Sequence, residues 1–248
     1  MAGREPRPLD TVNLLPIGMR IGAPASLSMP RASDLTFSMH INDILMFAVA
    51  VSLGFFLGKF RTHWLQNQSE AVVSRTLSAA FPPPQYHLMN NVTIPTNWGS
   101  TQIDHVLVSR FGVFVLEAKH YKGWIFANTD SPTWTQVLFE HRFKFQNPLR
   151  QNHGHVRAVQ KLLDFLPPEL VHSVVVFTGD ADFKVGKPGN VLTLEELVPY
   201  LRGFSDEVIS ENRLQFCVGR LECNRFALTR QTDIAHRERL ARRFGGRS

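Results

Sequence analysis

Asp104, Glu117 and Lys119 lie inside otherwise apolar runs, in the stretch IDHVLVSRFGVFVLEAKHYK that covers residues 103–122. Burial makes an unpaired charge expensive, so charges placed there need partners or a task. Both runs are rich in β-branched and aromatic residues and read as strands. Gly112 supplies the permissive backbone that a tight connection at Arg110–Phe111–Gly112 needs. If Ser109 faces Gly112, Asp104 falls opposite Glu117 on the same face, with Cβ atoms about 4.5–5.5 Å apart. Lys119, two residues further, projects on that face too. A register slip of one residue would undo the arrangement.

Two neighbouring carboxylates repel, and one tends to protonate unless a cation stands between them. Lys119 is one candidate cation. A divalent ion is a better one, and hard oxygen donors suit magnesium or manganese. An ion held by Asp104 and Glu117 would polarise a phosphoryl oxygen and acidify a water. Lys119 would then orient that water or stabilise charge developing on the phosphate. The alternative is an ordinary buried ion network, which is a weak stabiliser. Spacing alone leaves both open.

These residues must be positioned by the elements around them. Strands are expected at Tyr86–Ile94, Ile103–Ser109 and Val113–Lys119, with short additions at Trp124–Ala127 and Trp134–Phe139. Trp64–Ala80 has helical spacing, with Leu65, Val72, Val73 and Leu77 on one face, and is ended by Pro82–Pro84. A second helix opens near Pro148, its apolar face lined by Val156, Val159, Leu162, Leu163 and Leu166. Ser173–Gly179 is a continuous apolar strand of the buried kind, and Thr193 with Glu196 forms a capping box for a third helix. The order predicts an α/β arrangement around one mixed sheet.

Residues 44–58 carry no charge. A run apolar on every face, reaching about 17 residues with its flanks, predicts a single-pass transmembrane helix. Lys59, Arg61 and Trp64 follow it directly, which puts the carboxy-terminal side in the cytoplasm. The expected organisation is a disordered leader over 1–40, an anchor over 41–61, a folded domain over 65–203, and a basic, helical extension over 204–248. Met29 and Met39 are alternative starts. The formal net charge is +6, in keeping with a polyanionic partner or an anionic membrane surface. Two cysteines, Cys217 and Cys223, give no disulfide framework, and their spacing is poor for zinc.

The stretch IDHVLVSRFGVFVLEAKHYKGWI resembles the core of the nuclease-related domain (NERD) family. The resemblance continues through Trp134 and NPLRQNHGHV (147–156), and covers residues 69–179, from SEAVVSRTL to VVVFTG. The family is assigned to the PD-(D/E)xK superfamily. The resemblance therefore implies a restriction-endonuclease-like three-layer core, a central mixed sheet flanked by helices. It implies metal-dependent hydrolysis of phosphodiester bonds in DNA, with RNA not excluded. By position, Asp104 matches the first acidic half-motif, with Ile103 where the superfamily's name has proline. Glu117 and Lys119 match the Glu-x-Lys half. Glu70 matches an acid on the preceding helix, a further metal contact, although Ser69 replaces the usual glycine before it. Gln151 matches the glutamine after the Asn-Pro pair, reaching a phosphate or a water, or else bonding the helix start.

His105, His120, His153 and His155 crowd the same motifs and suit phosphate hydrogen bonding, packing or a base role. Trp98, Trp124 and Trp134 are candidates for base stacking or for sheet packing. Arg150, Arg157 and Lys161 form a basic stripe able to bind phosphates, as does the tail HRERLARRFGGR. A non-catalytic module that binds nucleic acid or a membrane partner is the competing reading.

Overall fold

The computed structural model describes residues 41–97 and 99–227. The expected leader, Trp98 and the basic tail after residue 227 lie outside the described residues. In chain order the elements are α1 (Ile41–Ala80), β1 (Tyr86–Thr96), β2 (Gly99–Ser109), β3 (Gly112–Lys119), β4 (Gly123–Phe126), β5 (Thr133–Leu138), β6 (His141–Gln146), α2 (Pro148–Leu162), β7 (Val171–Phe177), β8 (Ala181–Val185), β9 (Val191–Thr193), α3 (Leu194–Arg202) and α4 (Glu211–Asn224).

The expected anchor and the helix after it are one continuous helix, α1. No proline or glycine between Arg61 and Leu65 interrupts it. Its two ends differ in chemistry. Along Ile44–Leu57 the large apolar side chains are exposed, Phe47 by 67% and Phe56 by 77%. By length and composition this is a candidate membrane-spanning helix, with none of its apolar window buried. Further along, Val73 and Leu77 are fully buried.

The central sheet runs β1-β2-β3-β7-β9. β1, β2 and β3 are antiparallel, and β7 and β9 continue parallel to β3, with α2 in the crossover. One face carries Val106, Val108, Val113 and Val115 against Val156, Val159 and Leu163, and against Leu214, Cys217 and Leu221 of α4. The other carries Leu107, Phe114 and Leu116 against Val73 and Leu77 of α1 and Leu197 and Leu201 of α3. Helices thus cover both faces of a mixed sheet. The capping box at Thr193 and Glu196 starts α3 as expected.

One expectation needs correcting. The described residues build two sheets, not one. A four-stranded sheet, β6-β5-β4-β8, is inserted mostly between β3 and α2. Ile125 and Trp134 on it pack against Val175, Phe177 and Val191 of the central sheet. Gly179 marks a close approach of the two connections, since a Cβ there would stand 2.1 Å from the Tyr121 carbonyl oxygen. α4 adds to the core, burying Leu214, Cys217 and Leu221 completely.

Leu221→Ala empties a fully buried position and is expected to cost about 2–5 kcal/mol. Chemical denaturation of the folded chain checks this. A change below about 0.5 kcal/mol would show that α4 is not part of the domain's core.

Candidate functional site

The site forms where β3 runs past the end of its pairing with β2. The β2–β3 ladder has the expected register, from Ser109 opposite Gly112 to His105 opposite Leu116. The next step would set Asp104 against Glu117, but the ladder stops there, while β3 continues beside β7 to Lys119. β1 is irregular at the same level. Asn91 has φ 51 and is not paired with Asp104, although the residues on either side are in register. Asparagine tolerates that left-handed backbone better than most residues.

Freed from the ladder, Asp104 uses its side chain. Its Oδ2 accepts a hydrogen bond from the Ala118 backbone N–H at 2.8 Å. The Ala118 carbonyl accepts one from Gln66 Nε2 of α1 at 2.7 Å, and the same amide lies 3.4 Å from Glu70 Oε1. The residue between Glu117 and Lys119 is therefore fixed on both sides by side chains from other elements. Glu117 itself is 2% exposed. Its Oε1 accepts from Lys119 Nζ and from Gln151 Nε2, each at 2.6 Å. Its Oε2 lies 3.2 Å from His155 Nε2.

Gln151 arrives through an ordered helix start. Asn147 is fully buried. Its Oδ1 accepts from Leu149 N, and its Nδ2 donates to the carbonyls of Ser131 and Thr129. One turn on, Asn152 donates to the carbonyls of Val115 and Val174 and to Ser173 Oγ, locking α2 onto the sheet.

The nuclease-related domain family model matches residues 65–178. An uncharacterized protein of Bacillus anthracis, pXO1-01, is 31% identical over 180 residues, spanning 71% of this chain and 84% of that protein. The chain belongs to the nuclease-related domain family. No solved structure matches it significantly.

Within this NERD chain, Asp104, Glu117, Lys119 and Gln151 converge, and Glu70 stands beside them. Burial pushes the Asp104 carboxyl well above the ordinary range, helped by the negative charges of Glu117 and Glu70. Burial also works against an ionised Glu117, but His155 and Lys119 outweigh it and hold that carboxyl low. Burial alone would lower the Lys119 amine; the adjoining Glu117 charge raises it instead. One acid is thus kept ionised while its neighbour resists ionisation. Among the described residues no three His, Cys, Asp or Glu side chains form a ready cage for a metal.

The other candidates are placed elsewhere. Arg150 donates to the Asp130 carbonyl and Lys161 to Asn97 Oδ1, while Arg157 is exposed on α2. His105 is buried, its Nδ1 2.7 Å from Asn90 Oδ1, and burial takes its pKa down to about 4. His153 is exposed. Trp134 is buried with its Nε1 on the Asn128 carbonyl, whereas Trp124 is half exposed. Gln66, Asn147 and Asn152 are structural partners of the site not singled out from the sequence. Gln66 lies 52 positions from Ala118, and no local pattern links them.

An acid whose folded pKa is raised loses stability as pH rises from its ordinary value through the raised one. Asp104→Asn removes that burden. In EDTA at neutral pH it should raise the melting temperature by on the order of 2–4 °C. The gain should shrink as pH falls into the ordinary carboxylate range. A lower melting temperature at both pH values would contradict the account.

Proposed function

We propose that this chain is a membrane-anchored, magnesium-dependent nuclease that hydrolyses phosphodiester bonds in DNA, built on a restriction-endonuclease-like core. The observation that carries the reading is the Glu117–Lys119–Gln151 cluster at the end of a central strand, with Asp104 bonded to Ala118 between them. Family membership supports nuclease-related chemistry.

The donor set fits a hard divalent ion. Glu117 Oε2 is buried without an aligned hydrogen-bond partner, and three acidic groups crowd one another electrostatically. Magnesium needs only one or two carboxylates, since it keeps several waters and takes substrate phosphates as further ligands. Asp104 and Glu117 would hold magnesium or manganese, with Glu70 as a further contact. Bound there, the ion supplies polarisation of a phosphoryl oxygen and neutralises charge. Lys119 orients the attacking water or stabilises charge on the phosphate. Gln151 holds Glu117 and stands ready to meet the phosphate or water. Arg157 lies on the same helix as Gln151, and with Arg150 and Lys161 supplies phosphate contacts along the substrate.

The exposed apolar half of α1 supports insertion in the cytoplasmic membrane as a single pass through residues 44–60. Lys59 and Arg61 after it favour a cytoplasmic domain. A second reading, a non-catalytic nucleic-acid-binding or membrane-associated interaction module, is favoured by one observation. Glu117, Lys119 and Gln151 already satisfy one another internally.

Alanine at Asp104 or at Lys119 should leave the domain folded and lower magnesium-dependent DNA digestion by on the order of 10²–10³-fold or more. Variants that cut as well as the parent would show that the site is misassigned. Tight DNA binding with no metal-dependent products from the parent would favour the binding module, and an RNA arm tests the substrate class. Fractionation checks the anchor: the chain should need detergent to leave the membrane pellet, and a fully soluble chain would remove it.

A further inference from the structure

His155 is the buried histidine that faces Glu117, and its surroundings are specific. Its side chain is 8% exposed and faces Glu117, which is 2% exposed. A ring so enclosed cannot reach a phosphate or serve as a base toward a substrate in solution. Glu117 Oε1 is already claimed by Lys119 and Gln151, each at 2.6 Å. Glu117 Oε2 and His155 Nε2 are each buried without an aligned hydrogen-bond partner, and they stand 3.2 Å apart. On the far side of the ring, Nδ1 lies 2.7 Å from Thr101 Oγ1. A threonine hydroxyl can donate to Nδ1, which leaves the ring proton on Nε2, the nitrogen 3.2 Å from the carboxylate.

We propose that His155 is a positioning residue: its Nε2–H fixes the buried oxygen of the Glu117 carboxylate, in a tautomer set by the Thr101 hydroxyl. Gln151 and His155 are four residues apart on α2, so one helix face supplies both a grip on Oε1 and a grip on Oε2. Asn152 between them fixes that helix to β3 and β7 through Val115 and Val174. Lys119 and Gln151 hold one oxygen, about which the carboxylate could still turn. His155 removes that freedom. Groups that orient a metal-holding side chain in this way are worth about 10–100-fold in metal affinity. This consequence rests on the nuclease reading above; the pairing itself does not.

The test is a double-mutant cycle on the full-length chain in detergent, with EDTA present. His155→Phe keeps the ring's bulk and removes the donor. It should lower the melting temperature by several degrees in the parent and by less than half as much in a Glu117→Gln background, because a histidine that merely packs would cost the same in both. Magnesium titration by calorimetry, without DNA, should then show affinity about 10–100-fold weaker in His155→Phe. His155→Gln, whose amide can donate from near the same place, should restore both properties, and Thr101→Val should weaken affinity in the same direction as His155→Phe. Equal losses of stability in the two backgrounds, or a magnesium affinity unmoved by His155→Phe, would overturn the proposal. A parent that shows the coupling yet takes up no magnesium leaves the pair in place and overturns the nuclease reading instead.

Discussion

The site depends on one buried negative charge. Glu117 sits at 2% exposure with Lys119 and Gln151 on one oxygen and His155 beside the other. An ionised carboxylate in such surroundings survives only if it is paired and hydrogen-bonded. The partners come from two constraints. Lys119 follows from strand alternation along β3, and Gln151 and His155 from helical spacing along α2. Remove any of them and the charge is left more expensive, which is why the surrounding structure is so closely tied down.

That tying-down explains the odd features nearby. Ala118 is held through its N–H by Asp104 and through its carbonyl by Gln66. β2 can lend Asp104 to this purpose because its ladder to β3 has ended and Asn91 interrupts the pairing on its other side. The inserted sheet serves the same end. It leaves the central sheet just after Lys119 and returns at Asn147, whose buried side chain gathers the 128–131 loop and starts α2. The insertion therefore delivers Gln151 to Glu117 from a fixed origin.

Much of this was legible from residue patterns. β-branched runs and Gly112 located β2, β3 and their register. The proline after Asn147 marked the start of α2, and Thr193 with Glu196 marked that of α3. Glu117 and Lys119 stand out as charges inside an apolar run, whereas Gln151 stands out only through the family resemblance. The second sheet was not legible, because β6 is His-Arg-Phe-Lys-Phe-Gln and β8 is Ala-Asp-Phe-Lys-Val. Strands with one open face and charged edges look like loops until a partner is known. α4 carries a usable signal, Leu214, Cys217, Val218 and Leu221 at helical spacing behind Ser210, within the stretch that reads as a basic extension. The contacts of Gln66 with Ala118 and of Asn152 with the sheet have no local signature, since those acceptors are 21 to 52 positions away.

The central claim is that the β3 end, with Asp104 and Glu117, is built to receive a divalent cation. Anomalous diffraction from crystals of the full-length chain grown with manganese tests it most directly. The account predicts an ion within about 2.0–2.2 Å of an oxygen of each carboxylate. Density without an ion there, with Lys119 still seated on Glu117 and Asp104 still on Ala118, would contradict it.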